Sequence, residues 1–296
     1  MVREAWFGPI GEHLQLSQDG PPTSPSPRVR QDNFREPPPP RPDRDIGADL
    51  VMALRFFSRL PTGSRPFEAP DLSRIAIALP FASVIIAIGP ALLLLVLSFV
   101  LPGYFAAALA VGAMLAVTGA MADDALADAA DGVVGGSTPE RRLEIMKDSR
   151  HGTYGVAALC LYIVLRVVAL GSIATIHPVA AAAIWIATTV LARSGCLWLS
   201  LELPSARSNG VSASAGRVGR GSFGIGLLFS VVIAFIAAAP FTSVVALVLA
   251  FLATGLIAWG WTSICRKLVG GQTGDLIGAL QALIEIGVLT VLLAFA

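Results

Sequence analysis

Charge is scarce in this sequence: Asp, Glu, Lys and Arg make up 14% of its 296 residues, against 55% hydrophobic residues. Soluble domains carry roughly 25% charged and 45–50% apolar residues, so the composition argues against a water-soluble enzyme core. No block rich in Lys or Arg with interleaved aromatics occurs, which argues against nucleic acid as a partner. Cysteine is limited to Cys160, Cys196 and Cys265, widely spaced and without a CxxC. That spacing suggests neither a disulfide framework nor a zinc site and leaves three small buried hydrophobes as the expectation. The opening stretch, MVREAWFGPIGEHLQLSQDG, lacks the apolar core of a signal peptide, so later segments are expected to drive membrane insertion.

The charges that do occur are unevenly placed. Residues 1–74 hold 10 of the 21 Lys/Arg, 10 of the 20 Asp/Glu and 13 of the 20 Pro. Residues 1–45, with PPTSPSPRVRQDNFREPPPPRPDRD, are expected to form a disordered, Pro-rich tail. Residues 46–74 form an amphipathic interfacial segment, in which Leu50, Leu54, Phe57 and Leu60 recur at helical spacing beside Arg55 and Arg59. Residues 75–296 form the transmembrane catalytic domain. Its composition points to an all-α, polytopic integral membrane protein with about seven transmembrane helices, at about 76–101, 104–122, 155–176, 178–200, 223–239, 241–263 and 277–295. Alternate connections carry Arg141, Arg142, Lys147 and Arg150, then Arg207, Arg217 and Arg220, then Arg266 and Lys267. By the positive-inside rule these loops and the N-terminus are cytoplasmic, and nearly all the acids of the domain share that face. The active site is therefore expected at the cytoplasmic face.

The densest chemical signal is AMADDALADAADGVVGG, residues 120–136. On a helix, Asp124, Asp128 and Asp131 fall within about 60° of one another, while Asp123 points about 100° away. Such a stripe, continuing an apolar membrane helix, suits a divalent cation with oxygen ligands, Mg²⁺ or Mn²⁺. A solvated acidic face is the alternative. Gly132, Gly135 and Gly136 then open a turn, read as room for a bulky ligand or as plain helix termination. Arg141, Arg142, Lys147 and Arg150 come next, as phosphate ligands or as topogenic charge.

A second constellation, GGQTGDLIGALQALIEIG at 270–287, opens the last membrane helix with a glycine-rich turn whose amides favour an anion. Gly271, Gln272 and Asp275 sit there, Asp275 as ligand or cap. Glu285 lies about 15 Å deeper, and both acids could face one cavity. Glu285 is an intramembrane acid of open role. Arg166 and Arg193 are the other intramembrane charges; Arg166 could pair with Glu285, and Arg193 could reach the cytoplasmic site or simply pair or snorkel. The Ser/Gly-rich loop 203–222 reads as a lid, a nucleotide contact or a linker. Three classes fit these residues: a metal-dependent transferase of phosphate-linked groups such as a CDP-alcohol phosphotransferase, an aspartate-rich prenyltransferase, and an acid-lined transporter. The one-sided placement of the acids disfavours the last.

TG at 118–119, DALADAADG, RRLEIMKDSRHGTYG through residue 155, GGQTGD at 270–275 and RLP at 59–61 together resemble the cobalamin synthase family over about residues 50–296. The ordered pair of LEIM-K-DSR-x-GT-x-G and GGQTGD is the specific part. The resemblance implies an inner-membrane transferase, magnesium-dependent, that joins adenosylcobinamide-GDP to α-ribazole or its 5′-phosphate with release of GMP, in a bacterial cell and in the setting of other cobamide-assembly enzymes. In that reaction Asp124, Asp128 and Asp131 would be catalytic and hold the metal, with Asp148 added to its shell. Arg150, Arg193, Gly271, Gln272 and Asp275 would bind substrate and phosphate. The chain departs from the family pattern at Ala122 and Ala125, where His and Gly are usual; Asp123 or His151 would have to compensate.

Overall fold

The computed structural model describes residues 45–63, 70–148, 150–207 and 216–295. The Pro-rich tail lies outside them. The helices are α1 (Ile46–Phe57), α2 (Leu72–Leu97), α3 (Gly103–Thr118), α4 (Met121–Gly135), α5 (Pro139–Ile145) and α6 (Thr153–Ile176), then α7 (Pro178–Cys196), α8 (Trp198–Glu202), α9 (Arg220–Ala238), α10 (Val244–Leu268) and α11 (Gly274–Leu293). Six are long and apolar enough to cross a membrane, or seven when the bent pair α3–α4 counts as one span. The chain is an all-α polytopic membrane protein.

The interfacial segment is not one element. Asp45 caps α1 by accepting the Gly47 N–H at 2.9 Å, and Ser58 ends it in an extended conformation, with its hydroxyl donating to the Leu54 carbonyl at 2.6 Å. Leu60 therefore lies beyond the helix, where the Arg59 N–H donates to Val117 O at 2.7 Å. Met52, Ala53 and Phe57 are buried, and buried Asp49 pairs with Arg74 Nε at 2.6 Å, tying α1 to the first turn of α2. Asp71 caps α2, which begins at Leu72, four residues ahead of the expected start.

Helix α7 is the central post. Its residues from Thr188 to Cys196 are all buried, and it packs against α2, α9, α11 and α6. Around it, α9 and α10 turn large apolar side chains outward, including Leu228, Ile236, Leu252, Leu256 and Trp259, a surface suited to lipid and not to water. Inward, α9 presents Gly226, Ser230, Ala234 and Ala238 at four-residue spacing. Small residues let backbones approach closely: a Cβ at Gly226 would lie 2.0 Å from the Ala76 carbonyl oxygen of α2. Cys196 and Cys265 are buried as expected, but Cys160 is exposed on the outer face of α6.

The second span departs from the expectation of a helix running straight into the aspartates. Gly119 (φ +63°) and Ala120 (φ +55°) both adopt the left-handed conformation, and α4 leaves α3 at 88°. An alanine there costs roughly 1–2 kcal/mol, so the surrounding packing holds the elbow in place. Beyond it, α4 packs between α6 and α11, with Ala125 in tight contact with Gly278 of α11.

Candidate functional site

Asp124 and Asp128, one turn apart on α4, come together with His151 from the loop between α5 and α6. His151 Nε2 lies 3.5 Å from Asp124 Oδ1, and its Nδ1 lies 3.5 Å from Asp128 Oδ1. Among the described residues these three are the group whose donor atoms could share a metal ion, all within 4.8 Å of one another. Asp124 is 65% exposed and Asp128 17%, so the cluster opens outward. Asp275 on α11 and Asp131 also lie within electrostatic range of Asp128.

Asp131, the third member of the stripe, is not brought to that cluster. It is buried, its Oδ2 accepting the Gly152 N–H at 2.6 Å and its Oδ1 the Gly155 N–H at 2.8 Å. These are first-turn amides of α6 that the helix itself cannot satisfy. The carboxylate thus fixes the segment that carries His151. A Cβ at Gly155 would come within 2.3 Å of Asp131 Oδ2, which accounts for glycine there.

Two of the glycines after the stripe make room for the chain itself. A Cβ at Gly132 would meet Met146 Cγ at 2.3 Å, and one at Gly136 would meet Arg142 Cγ at 2.4 Å. Arg142 is likewise structural, donating to Val133 O and Leu268 O at 3.2 Å each. Asp148 and Arg150 grip each other through Nη2–Oδ2 at 2.8 Å and Nε–Oδ1 at 3.1 Å. Those hydrogen bonds hold the Asp148 carboxyl down at about 2, so it is ionised at any physiological pH; the pair is exposed, and Asp148 is not among the donors that converge at Asp124, Asp128 and His151.

The turn before α11 is stitched to the loop after α8. Gln272 N–H donates to Pro204 O at 2.8 Å and Ala206 N–H to Gln272 O at 2.9 Å, forming a short parallel bridge. Gly271 is required by this approach, since a Cβ would lie 2.7 Å from Pro204 O. Thr273, not Asp275, caps α11 by accepting the Leu276 N–H. Asp275 instead faces Arg207, Oδ2 to Nη1 at 3.4 Å, while Arg207 also donates to Leu143 O at 3.0 Å. Arg207 thus links the 203–207 loop, α5 and α11, leaving the described part of that loop pinned. Residues 208–215 of the expected lid lie outside the described residues.

Asp275 and Glu285 do not share a cavity. Glu285 is buried in a separate network deeper in the bundle, accepting from Tyr162 Oη at 2.6 Å and Trp185 Nε1 at 3.4 Å. Arg166 Nε lies 3.2 Å from Glu285 Oε1 as an ion pair without hydrogen-bond alignment, and its Nη1 donates to Asp123 Oδ1 at 3.0 Å. Arg193 is buried beside them, with Nη2 3.7 Å from Met114 Sδ and Nη1 lacking a hydrogen-bond partner among the described residues. Asp123, Tyr162, Arg166, Arg193 and Glu285, with Ala122, line a narrow cavity of about 10 Å³, space for a single water. Tyr162 and Trp185 carry no motif that would single them out in the sequence, and Arg207 stands out there only as a basic loop residue. The intramembrane charges Arg166 and Glu285 do stand out, because such groups are costly unless paired.

Fold and site together define a polytopic all-α membrane protein with an acid–imidazole cluster on the first half of α4, beside the starts of α6 and α11. The family described as cobalamin-5-phosphate synthase matches residues 49–293. An adenosylcobinamide-GDP ribazoletransferase of Azorhizobium caulinodans is 41% identical over 256 residues, 85% of this chain and 97% of the relative. Proteins of the same name from Rhizobium meliloti and Brucella anthropi are each 40% identical, over 83% and 81% of this chain and 96% and 94% of theirs. The chain belongs to the cobalamin-5-phosphate synthase family. No solved structure matches it.

Proposed function

We propose that this protein is an adenosylcobinamide-GDP ribazoletransferase of the bacterial inner membrane. Similarity to the ribazoletransferases over nearly their whole length is the observation that carries the reading. In the reaction, the 3′-hydroxyl of α-ribazole, or of its 5′-phosphate, forms a bond to the cobinamide-linked phosphorus. The bond from that phosphorus to the GMP oxygen breaks, and the hydroxyl proton passes to a base. The basic loops next to the cluster support a cytoplasmic active face.

The donor set fits a divalent cation: two carboxylates and an imidazole converge within 4.8 Å, and Asp124 stands open toward incoming ligands. Asp124 and Asp128 would hold Mg²⁺ or Mn²⁺, which when bound neutralises charge on the diphosphate and on the leaving phosphate. Asp128, less exposed than Asp124 and 3.5 Å from His151 Nδ1, is placed to take the proton of a hydroxyl brought against Asp124. Asp131 acts through the backbone, orienting the His151 segment. Arg207, by binding Asp275, holds the turn at 270–274 against the 203–207 loop and so closes one side of the site.

Purified protein in detergent, given adenosylcobinamide-GDP, α-ribazole and a divalent cation, should release GMP and form the cobamide. Asp124→Asn should slow release by roughly 100-fold or more while leaving folding unchanged, because the side chain is mostly exposed. Absence of GMP from the wild-type reaction would refute the function; an unimpaired Asp124→Asn would refute the site.

A further inference from the structure

We propose that His151 is a protein ligand of the metal and that the site consequently prefers Mn²⁺ over Mg²⁺. The inference rests on the metal-dependent reading of this site and concerns which ion the chain selects. Both ring nitrogens face a carboxylate: Nε2 is 3.5 Å from Asp124 Oδ1 and Nδ1 is 3.5 Å from Asp128 Oδ1. A single ion can take one of these nitrogens. The other then donates its N–H to the neighbouring carboxylate, which fixes the tautomer as an outer partner of a ligating histidine ordinarily does. Mg²⁺ demands oxygen ligands in near-ideal octahedral geometry, whereas imidazole suits first-row transition ions.

His151 reaches this position because its own segment is anchored. The amides of Gly152 and Gly155 are both held by buried Asp131, so the imidazole hangs from a fixed backbone at the mouth of the site. The competing explanation is an imidazolium that merely neutralises Asp124 and Asp128. That arrangement would be displaced by a metal and would leave no nitrogen on it.

The full-length protein in detergent is titrated with Mn²⁺ alone and followed by electron paramagnetic resonance, with pulsed measurement of ¹⁴N coupling to the bound ion. Mg²⁺ affinity is read by competition. Wild type should bind one Mn²⁺ showing ¹⁴N coupling. His151→Gln, which keeps the side chain's size and an oxygen donor, should lose the coupling and weaken Mn²⁺ binding by at least about tenfold, the cost of losing even an outer-shell partner. Mg²⁺ affinity should change far less. If Mn²⁺ binds wild type without ¹⁴N coupling, or with a Mn²⁺/Mg²⁺ ratio unchanged in His151→Gln, the ligand role is overturned and the metal reading stands. If wild type binds neither ion, while Asp124→Asn behaves as wild type, both are overturned.

Discussion

Replacing Asp131 by asparagine tests whether this residue is a metal ligand or the anchor of the loop that carries one. In the wild type its two oxygens each accept a backbone amide, at 2.6 and 2.8 Å, from a buried position. A hydrogen bond to a charged group contributes ~1.5–3 kcal/mol. Asparagine keeps one acceptor and turns an NH₂ toward the second amide. One charge-assisted bond is lost, the other becomes neutral, and an N–H is left facing a donor. The combined effect is about 2–4 kcal/mol on local opening of the first turn of α6. At ~1.4 kcal/mol per tenfold, the Gly152 and Gly155 amides should exchange roughly thirty to several hundred times faster. Hydrogen exchange read by mass spectrometry on peptides covering residues 150–156 measures this directly, and Mn²⁺ binding to the same variant should weaken without losing its stoichiometry. Exchange within about threefold of wild type, together with complete loss of metal binding, would refute the anchoring role and return Asp131 to the ligand set.

The packing carries two further expectations. Arg166→Met leaves the buried Asp123 and Glu285 facing each other without their cation, which costs about 3–5 kcal/mol and should lower the thermal midpoint in detergent. Adding Asp123→Asn and Glu285→Gln should restore much of that loss; no recovery would mean that Arg166 matters through packing and not charge. Gly226→Ala forces a methyl to within 2.0 Å of the Ala76 carbonyl and should destabilise by about 1–3 kcal/mol, whereas Gly224→Ala, with open space around it, should be neutral or slightly stabilising. Equal thermal midpoints for the two variants would contradict the close crossing of α2 and α9.

The spans were legible from hydrophobic runs because length and apolarity alone decide what can cross a bilayer. Helical angles likewise placed Asp124 and Asp128 on one face and turned Asp123 away from them. What a helical wheel cannot supply is the neighbour each face meets. Asp131 shares the stripe, yet lies far enough along α4 to meet the start of α6, where unsatisfied amides outcompete any outward role. His151 joins the cluster from a loop 23 residues beyond Asp128, a tertiary meeting that no spacing rule encodes. The elbow at Gly119–Ala120 was hidden for a different reason: alanine is an ordinary helix residue, and its left-handed backbone is imposed by packing. The glycines at 132 and 136 signalled a close approach correctly, but the approaching groups are Met146 and Arg142 of the same chain.

The elbow also imposes a reading register on every residue of α4. Asp123 and Asp124 are adjacent in sequence, yet one is 4% exposed and neutralises a buried arginine while the other stands at the mouth of the site. Each residue inserted into a helix rotates all later side chains by about 100°. One extra residue between the elbow and Asp123 would set an alanine opposite Arg166 and carry Asp128 away from His151. The corner therefore acts as the origin from which acid positions are counted, and the short segment 120–122 should tolerate changes of side chain far better than changes of length.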